Sequence, residues 1–275
     1  MKRKTWFWAL TPVAVALSLY GCGNGSDSDL AVDNNAQSCS VVSGTGSAVV
    51  VGSGLPGDPA APEAASGYRL GYKAKQSSNY MVVANTPLAT KAGCDVLKAG
   101  GTAVDAAVAV QAVLGLVEPQ SSTIAGSAFM MYYDAANKKV VAYDGRETAP
   151  TAATGYYLAR QDQSNASSPA PVPSARRSGR SIGVPGVMRM LDMAHKEHGK
   201  LAWAPLFDEG IRLASSGYKI PGRMGDAIRT NAANLQLDAN AVAAYFNADG
   251  TPKTTGTVTT NLPYAQSLRT LATGG

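Results

Sequence analysis

Ala92-Gly93-Cys94-Asp95-Val96-Leu97-Lys98-Ala99-Gly100-Gly101-Thr102-Ala103-Val104-Asp105-Ala106-Ala107-Val108-Ala109 holds the end of one helix and the start of another. Gly100 and Gly101 close the first, for which Pro87 suits the opening turn. Thr102 is an N-cap for the second, and Asp105 stands three residues on in an approximate capping box. The second helix is expected from Ala103 to Val117, with Pro119 closing it. It is apolar on nearly every face and interrupted only by Asp105 and Gln111. A helix without a polar stripe belongs between the layers of a folded core. This one is too short and too well capped to cross a membrane.

Elements on either side extend the same core. Met81 to Ala84 reads as a short strand leading into the first helix. Phe129 to Tyr133 and Lys139 to Tyr143 are rich in β-branched and aromatic residues, with Asp134-Ala135-Ala136-Asn137 between them, which is a hairpin pattern. Gly183-Val184-Pro185-Gly186 then leads into a helix carrying Val187, Met190, Leu191 and Ala194 at core spacing. A further helix is expected from about Ala204 to Ser216, with Gly217 as its stop. After Tyr218 the pattern weakens until Leu262-Pro263-Tyr264-Ala265-Gln266-Ser267-Leu268-Arg269-Thr270-Leu271, which opens another helix. Strands and buried helices in this order fit an α+β architecture of sheets covered by helices.

The N-terminal part reads differently. Lys2, Arg3 and Lys4 precede an apolar run from Trp6 to Leu19, the pattern of an export signal. Leu19-Tyr20-Gly21-Cys22 resembles a bacterial lipoprotein cleavage site, although Tyr20 is bulkier than the usual residue. A plain secretory signal cleaved nearby is the alternative. Lipidation of Cys22 would tether the chain to a membrane without spanning it. Residues 22–79 are rich in Gly, Ser, Asp, Ala and Pro, and read as a flexible tether ahead of a body at 80–275. The formal charge of +5 falls to +2 once the three basic residues of 1–21 are set aside. That balance, with no aromatic-basic pattern, argues against a nucleic-acid partner. Cys39 and Cys94 have the option of pairing in an oxidising compartment. The helical setting of Cys94 favours a small buried thiol instead.

Chemistry is sparse. His195 and His198 lie three apart on one helix without a further ligand cluster, so an exposed polar face is expected and no metal site. No G-x-S-x-G elbow appears. Arg176, Arg177 and Arg180 sit in a loop-like stretch from Gln163 and read as a solvated basic loop. Arg146 stands out, in Tyr143-Asp144-Gly145-Arg146-Glu147-Thr148-Ala149-Pro150 at the end of the hairpin. Asp144-Gly145 supplies a turn and Pro150 a stop. An arginine there presents a planar charged fork to a carboxylate, the plain alternative being a surface salt bridge.

Residues from Tyr80 to Ala153 resemble the start of the large subunit of the γ-glutamyltransferase (glutathione hydrolase) family. The resemblance rests on Met81-Val82-Val83-Ala84-Asn85-Thr86-Pro87-Leu88-Ala89-Thr90 and on the run from Ala92 to Ala109. Gly183-Val184-Pro185-Gly186 and Trp203-Ala204-Pro205-Leu206-Phe207 add weaker landmarks. One departure is plain: Thr123-Ile124-Ala125-Gly126-Ser127-Ala128-Phe129 stands where the family carries a run of glycines. Fewer glycines there imply a stiffer segment at a close backbone approach.

The resemblance implies a layered αββα sandwich of the N-terminal-nucleophile hydrolase type, here incomplete. It also implies cleavage of γ-glutamyl amides, glutathione among them, through an acyl-enzyme, with Arg146 holding the substrate α-carboxylate. No cofactor is implied. The family nucleophile is a threonine freed by self-cleavage in a Thr-Thr-His context. Thr254-Thr255 precedes Gly256 and Thr259-Thr260 precedes Asn261, so no catalytic residue is assigned in this chain. Expected partners are a C-terminal part or small subunit and, through Cys22, a membrane of the bacterial periplasm or cell envelope. Two other readings are a related amide acylase and a non-catalytic lipoprotein remnant of the fold.

Overall fold

The computed structural model describes Cys39 and residues 77–274. The signal at 1–21, Cys22 and nearly all of the tether at 22–79 lie outside the described residues. The body opens with α1 (Pro87–Lys98) and α2 (Ala103–Val117), joined through Gly100 at φ +89, a left-handed turn that favours glycine. The capping box forms as expected: Thr102 Oγ1 accepts from Asp105 N at 3.3 Å, and Asp105 Oδ2 accepts from Thr102 N at 2.7 Å. Met81–Ala84 is not a strand. No neighbouring strand offers it a ladder among the described residues, and Ala84 N donates instead to Thr90 Oγ1 at 3.2 Å.

The greasiness of α2 has a structural cause. One face, with Ala109, Val113 and Val117, packs among Leu213, Ile220, Met224 and Ile228. The other, with Val104, Val108 and Ala112, packs among Val187, Leu191, Leu206, Phe207 and Leu268. Two cores share one helix, which leaves only a narrow edge for Gln111, whose Nε2 donates to Ser122 Oγ at 3.1 Å.

The hairpin pairs β1 (Ala128–Asp134) with β2 (Lys139–Gly145) in the register Phe129↔Asp144, Met131↔Ala142 and Tyr133↔Val140. Asp134 ties the turn, accepting from Ala136 N at 3.0 Å and Asn137 N at 3.2 Å. One sheet face lies on α3 (Val187–His198), where Tyr143 Oη donates to Glu197 Oε2 at 2.5 Å. Burial first, and this bond second, push the Tyr143 phenol up to about 12. The opposite face is open: Phe129, Met131, Tyr133 and Val140 are each at least 60% exposed.

After α3 the chain makes a 3-10 turn over Ala204–Phe207 before α4 (Asp208–Ser216). The single helix expected from Ala204 thus begins with a tightened turn, at a point where Pro205 lacks an N–H to donate. Gly217, at φ +103, ends α4 as expected. Beyond it come β3 (Tyr218–Lys219), α5 (Gly222–Leu235), α6 (Ala239–Tyr245), β4 (Val258–Thr259) and α7 (Leu262–Gly274). β3 and β4 pair antiparallel as a second small sheet. The described body is mixed helix with small sheets. None of its helices is long and apolar enough to cross a membrane.

Two expectations about individual side chains are corrected. Cys94 is not a free buried thiol: it forms a disulfide with Cys39. Local pattern carries no information about a partner 55 residues away. His195 and His198 do not lie on an exposed polar face; their side chains are only 14% and 19% exposed. His198 stacks on Tyr132 at 4.1 Å between ring centroids. His195 Nε2 lies 3.0 Å from Leu201 O and 3.4 Å from Asp105 Oδ1. Both neighbours accept, so that nitrogen carries a hydrogen. No group of His, Cys, Asp or Glu able to hold a metal ion occurs among the described residues.

Candidate functional site

Arg146 follows the last residue of β2 and is seated by three segments far apart in sequence. Its own N–H donates to Asp144 Oδ1 at 2.9 Å, the turn expected of Asp144-Gly145. Gly126 O accepts from Gly186 N at 3.0 Å and from Val187 N at 3.1 Å. Val184 N donates to Thr148 O at 2.9 Å within an isolated antiparallel bridge. Residues 183–186 therefore form a strap over the backbone of 145–148, anchored at Gly126.

Close approach makes the strap glycine-dependent. A Cβ on Gly186 would lie 2.4 Å from Gly145 O and 3.2 Å from Arg146 O, both backbone atoms. A Cβ on Gly183 would lie 2.6 Å from Glu147 Cγ. Gly186→Ala is expected to cost about 1–3 kcal/mol of stability through overpacking, read from the shift of a urea unfolding midpoint at constant slope. A shift within error would mean that the strap yields without strain.

The guanidinium itself stays largely free. Arg146 Nη2 meets Glu147 Oε1 at 3.1 Å, with the arginine side chain 61% exposed. A half-open pair between neighbours contributes little to stability, because solvent screens it. The Ser127 hydroxyl, and then Glu147's own backbone N–H, hold the Glu147 carboxyl below the usual carboxylate range, with Arg146 a lesser cause. Glu147 is thus ionised at neutral pH and orients the fork without covering its other N–H donors. The arrangement can take a carboxylate in two-pronged fashion. The salt bridge to Glu147 is present and engages only Nη2, which leaves the other donors of Arg146 accessible.

Sequence reasoning singled out Arg146 and the 183–186 stretch but missed Gly126, Ser127 and Glu147 as parts of one seat. Glu147 had a signal, since it adjoins Arg146; the stretch 123–129 had one as a close backbone approach, but nothing in it named Gly186 and Val187 as the partners of Gly126. Of the two Thr-Thr pairs, Thr259 is buried in β4 and accepts from Lys253 Nζ at 2.8 Å, while Thr254 Oγ1 lies 3.4 Å from Thr257 Oγ1. Both pairs serve local structure. Arg180 is not solvated as expected: its Nη1 donates to Tyr157 O and Arg160 O, each at 2.8 Å, and its Nη2 to Gln161 O at 2.6 Å.

Comparison with known proteins adds independent findings. The family model described as Gamma-glutamyltranspeptidase matches residues 89–275. Glutathione hydrolase 3 of Arabidopsis thaliana is 36% identical over 201 residues, covering 73% of this chain and 30% of that protein. The glutathione hydrolase proenzyme of Bacillus subtilis (strain 168) is 33% identical over 198 residues, covering 71% and 32%. The chain thus spans about a third of the length of these curated relatives. Among solved structures, the Helicobacter pylori gamma-glutamyltranspeptidase superimposes with a TM-score of 0.67 at 26% identity, covering 74% of this chain and 56% of that one.

Proposed function

This chain belongs to the gamma-glutamyltranspeptidase family, and from that premise we propose that it supplies the carboxylate-anchoring part of an exported γ-glutamyltransferase or glutathione hydrolase. The observation that carries this reading is the exposed Arg146 fork, held in place by the 183–186 strap while most of its donors stay open. In this reading the fork grips the α-carboxylate of a γ-glutamyl compound such as glutathione. The nucleophilic threonine belongs to polypeptide outside these 275 residues, which contain no Thr-Thr-His stretch. Its hydroxyl adds to the γ-carbonyl while its α-amine takes the proton. The amide C–N bond then breaks, and the departing amine leaves protonated. Water or an acceptor amine releases the γ-glutamyl group from the threonine ester.

The layered sandwich belongs to the same proposal. It is supported by a two-stranded sheet with one face on α3 and an exposed apolar opposite face, the face that a second layer packs against in a sandwich. Phe129, Met131 and Tyr133 are the residues that a second layer would cover.

Export is supported by the Cys39–Cys94 disulfide, since such bonds persist in oxidising compartments. The partition into a signal at 1–21, a tether at 22–79 and a body at 80–275, with Cys22 lipidated, is proposed on the same footing. A labelled fatty acid is expected to follow the protein and to vanish in Cys22→Ser. A soluble, unlabelled wild-type product would remove the anchor from the proposal.

The activity is tested by reconstitution. The chain alone is expected to release no chromophore from a γ-glutamyl anilide, because it forfeits the nucleophile and with it several orders of magnitude in rate. Joined to a matching small subunit from a family member, it is expected to gain that activity. Turnover by the pure chain alone would overturn the assignment of the nucleophile. A folded, processed assembly without turnover would overturn the function.

A further inference from the structure

The stretch between Thr151 and Gly186 builds a second cleft of about 400 Å³, outside the Arg146 seat. Its walls include Leu158, Ala159, Ala170, Pro171, Ala175 and Arg176. The cleft is shallow and open to solvent, and its mostly apolar lining, with Ser174 and Ser181 at its edge, suits one face of a small molecule with an apolar body. The walls are fastened to each other. Arg180 ties the carbonyls of Tyr157, Arg160 and Gln161, beside the Leu158–Ala159 wall. Gln161 N in turn donates to Pro169 O at 2.9 Å, and Gln161 Nε2 to Ala170 O at 3.3 Å, next to the opposite wall. These cross-ties hold the cleft open in a segment that lacks regular strands or long helices.

Charge selects the ligand class. Four arginines, at 160, 176, 177 and 180, face a single acidic residue of this stretch, Asp162. Asp162 is already engaged, its Oδ1 accepting from Ser164 N at 2.9 Å and from Ser164 Oγ at 2.6 Å. Arg180 spends its guanidinium on carbonyls, and Arg160 donates to Asn165 O at 3.1 Å and lies over the Tyr156 ring. Arg176 lines the cleft and is exposed, and its side chain has no ion pair or hydrogen bond among the described residues. We propose that this cleft binds a small amphipathic carboxylate, with the apolar body against Leu158, Ala159, Ala170 and Pro171 and the carboxylate on Arg176. The inference stands on the cleft and the unpaired guanidinium, and does not require the proposed function.

The test uses the full chain and three probes of one shape: 4-phenylbutyrate, 4-phenyl-1-butanol and 4-phenylbutylamine. Calorimetry should show saturable binding of the carboxylate, binding at least tenfold weaker for the alcohol and none for the amine, since a charge-assisted bond is worth about a decade or more. Arg176→Gln, on an exposed side chain, should weaken the carboxylate tenfold or more and leave the alcohol unchanged. Ala170→Phe should abolish both by filling the cleft. Amide NMR shifts should centre on Ala159, Ala170 and Ala175. Equal binding of carboxylate and amine, an unchanged Arg176→Gln, absence of saturable binding, or shifts centred on the Phe129–Met131 face would each overturn the proposal.

Discussion

Asp105→Ala is expected to destabilise the body by about 3–5 kcal/mol, among the largest single-residue losses available to it. Asp105 is fully buried, and its carboxylate does more than cap α2. Besides Thr102 N it accepts from Lys200 N at 3.0 Å and Leu201 N at 3.2 Å, and His195 Nε2 lies 3.4 Å away. It thus joins the start of α2 to the chain leaving α3. Alanine would leave three part-buried backbone N–H groups without that acceptor, and each such orphan costs about 1–3 kcal/mol where water does not reach it. Asp105→Asn keeps one acceptor oxygen and should fall between the two. Urea unfolding of the three proteins at one pH measures this. A loss under about 1 kcal/mol for alanine would mean that water replaces the carboxylate and the junction is not held by it.

Arg146→Lys, in a protein completed with the nucleophile-bearing subunit, is expected to lower kcat/KM on γ-glutamyl substrates by roughly one to two decades per charge-assisted bond lost. Lysine keeps the charge but not the planar fork. The penalty should shrink for a matched substrate lacking the α-carboxylate, and self-cleavage should be unaffected. Stability should change little, because the present pair with Glu147 is half-exposed and engages one edge of the guanidinium. Equal losses on both substrates would remove Arg146 from the anchor role, whatever the absolute rate.

Elements set by neighbouring residues are legible in the chain itself. Thr102 and Asp105 announce the start of α2, Gly100 and Gly217 mark helix ends, and Asp134 to Asn137 marks the hairpin turn, because caps and turns are satisfied within a few residues. Met81–Ala84 departs from its strand reading for the complementary reason: a strand exists only if another strand pairs with it. The weak pattern after Tyr218 hides α5 and α6, whose burial is partial and whose packing comes from the two-core arrangement.

Arg146 is legible as a charged fork on a turn, and the 183–186 glycines as a close-packing motif. That they form one seat with Gly126 is not, since their contacts join backbone atoms about 35 to 60 residues apart and leave no periodicity. The same holds for Cys39 with Cys94 and for the inward turn of His195 and His198. By itself, then, the sequence determined where α1, α2, α3 and the hairpin lie and where α4 ends, through local caps, turns and apolar period. Tertiary structure alone decided which polar groups meet, because burial pairs each donor with whatever acceptor the folded chain brings within about 3 Å.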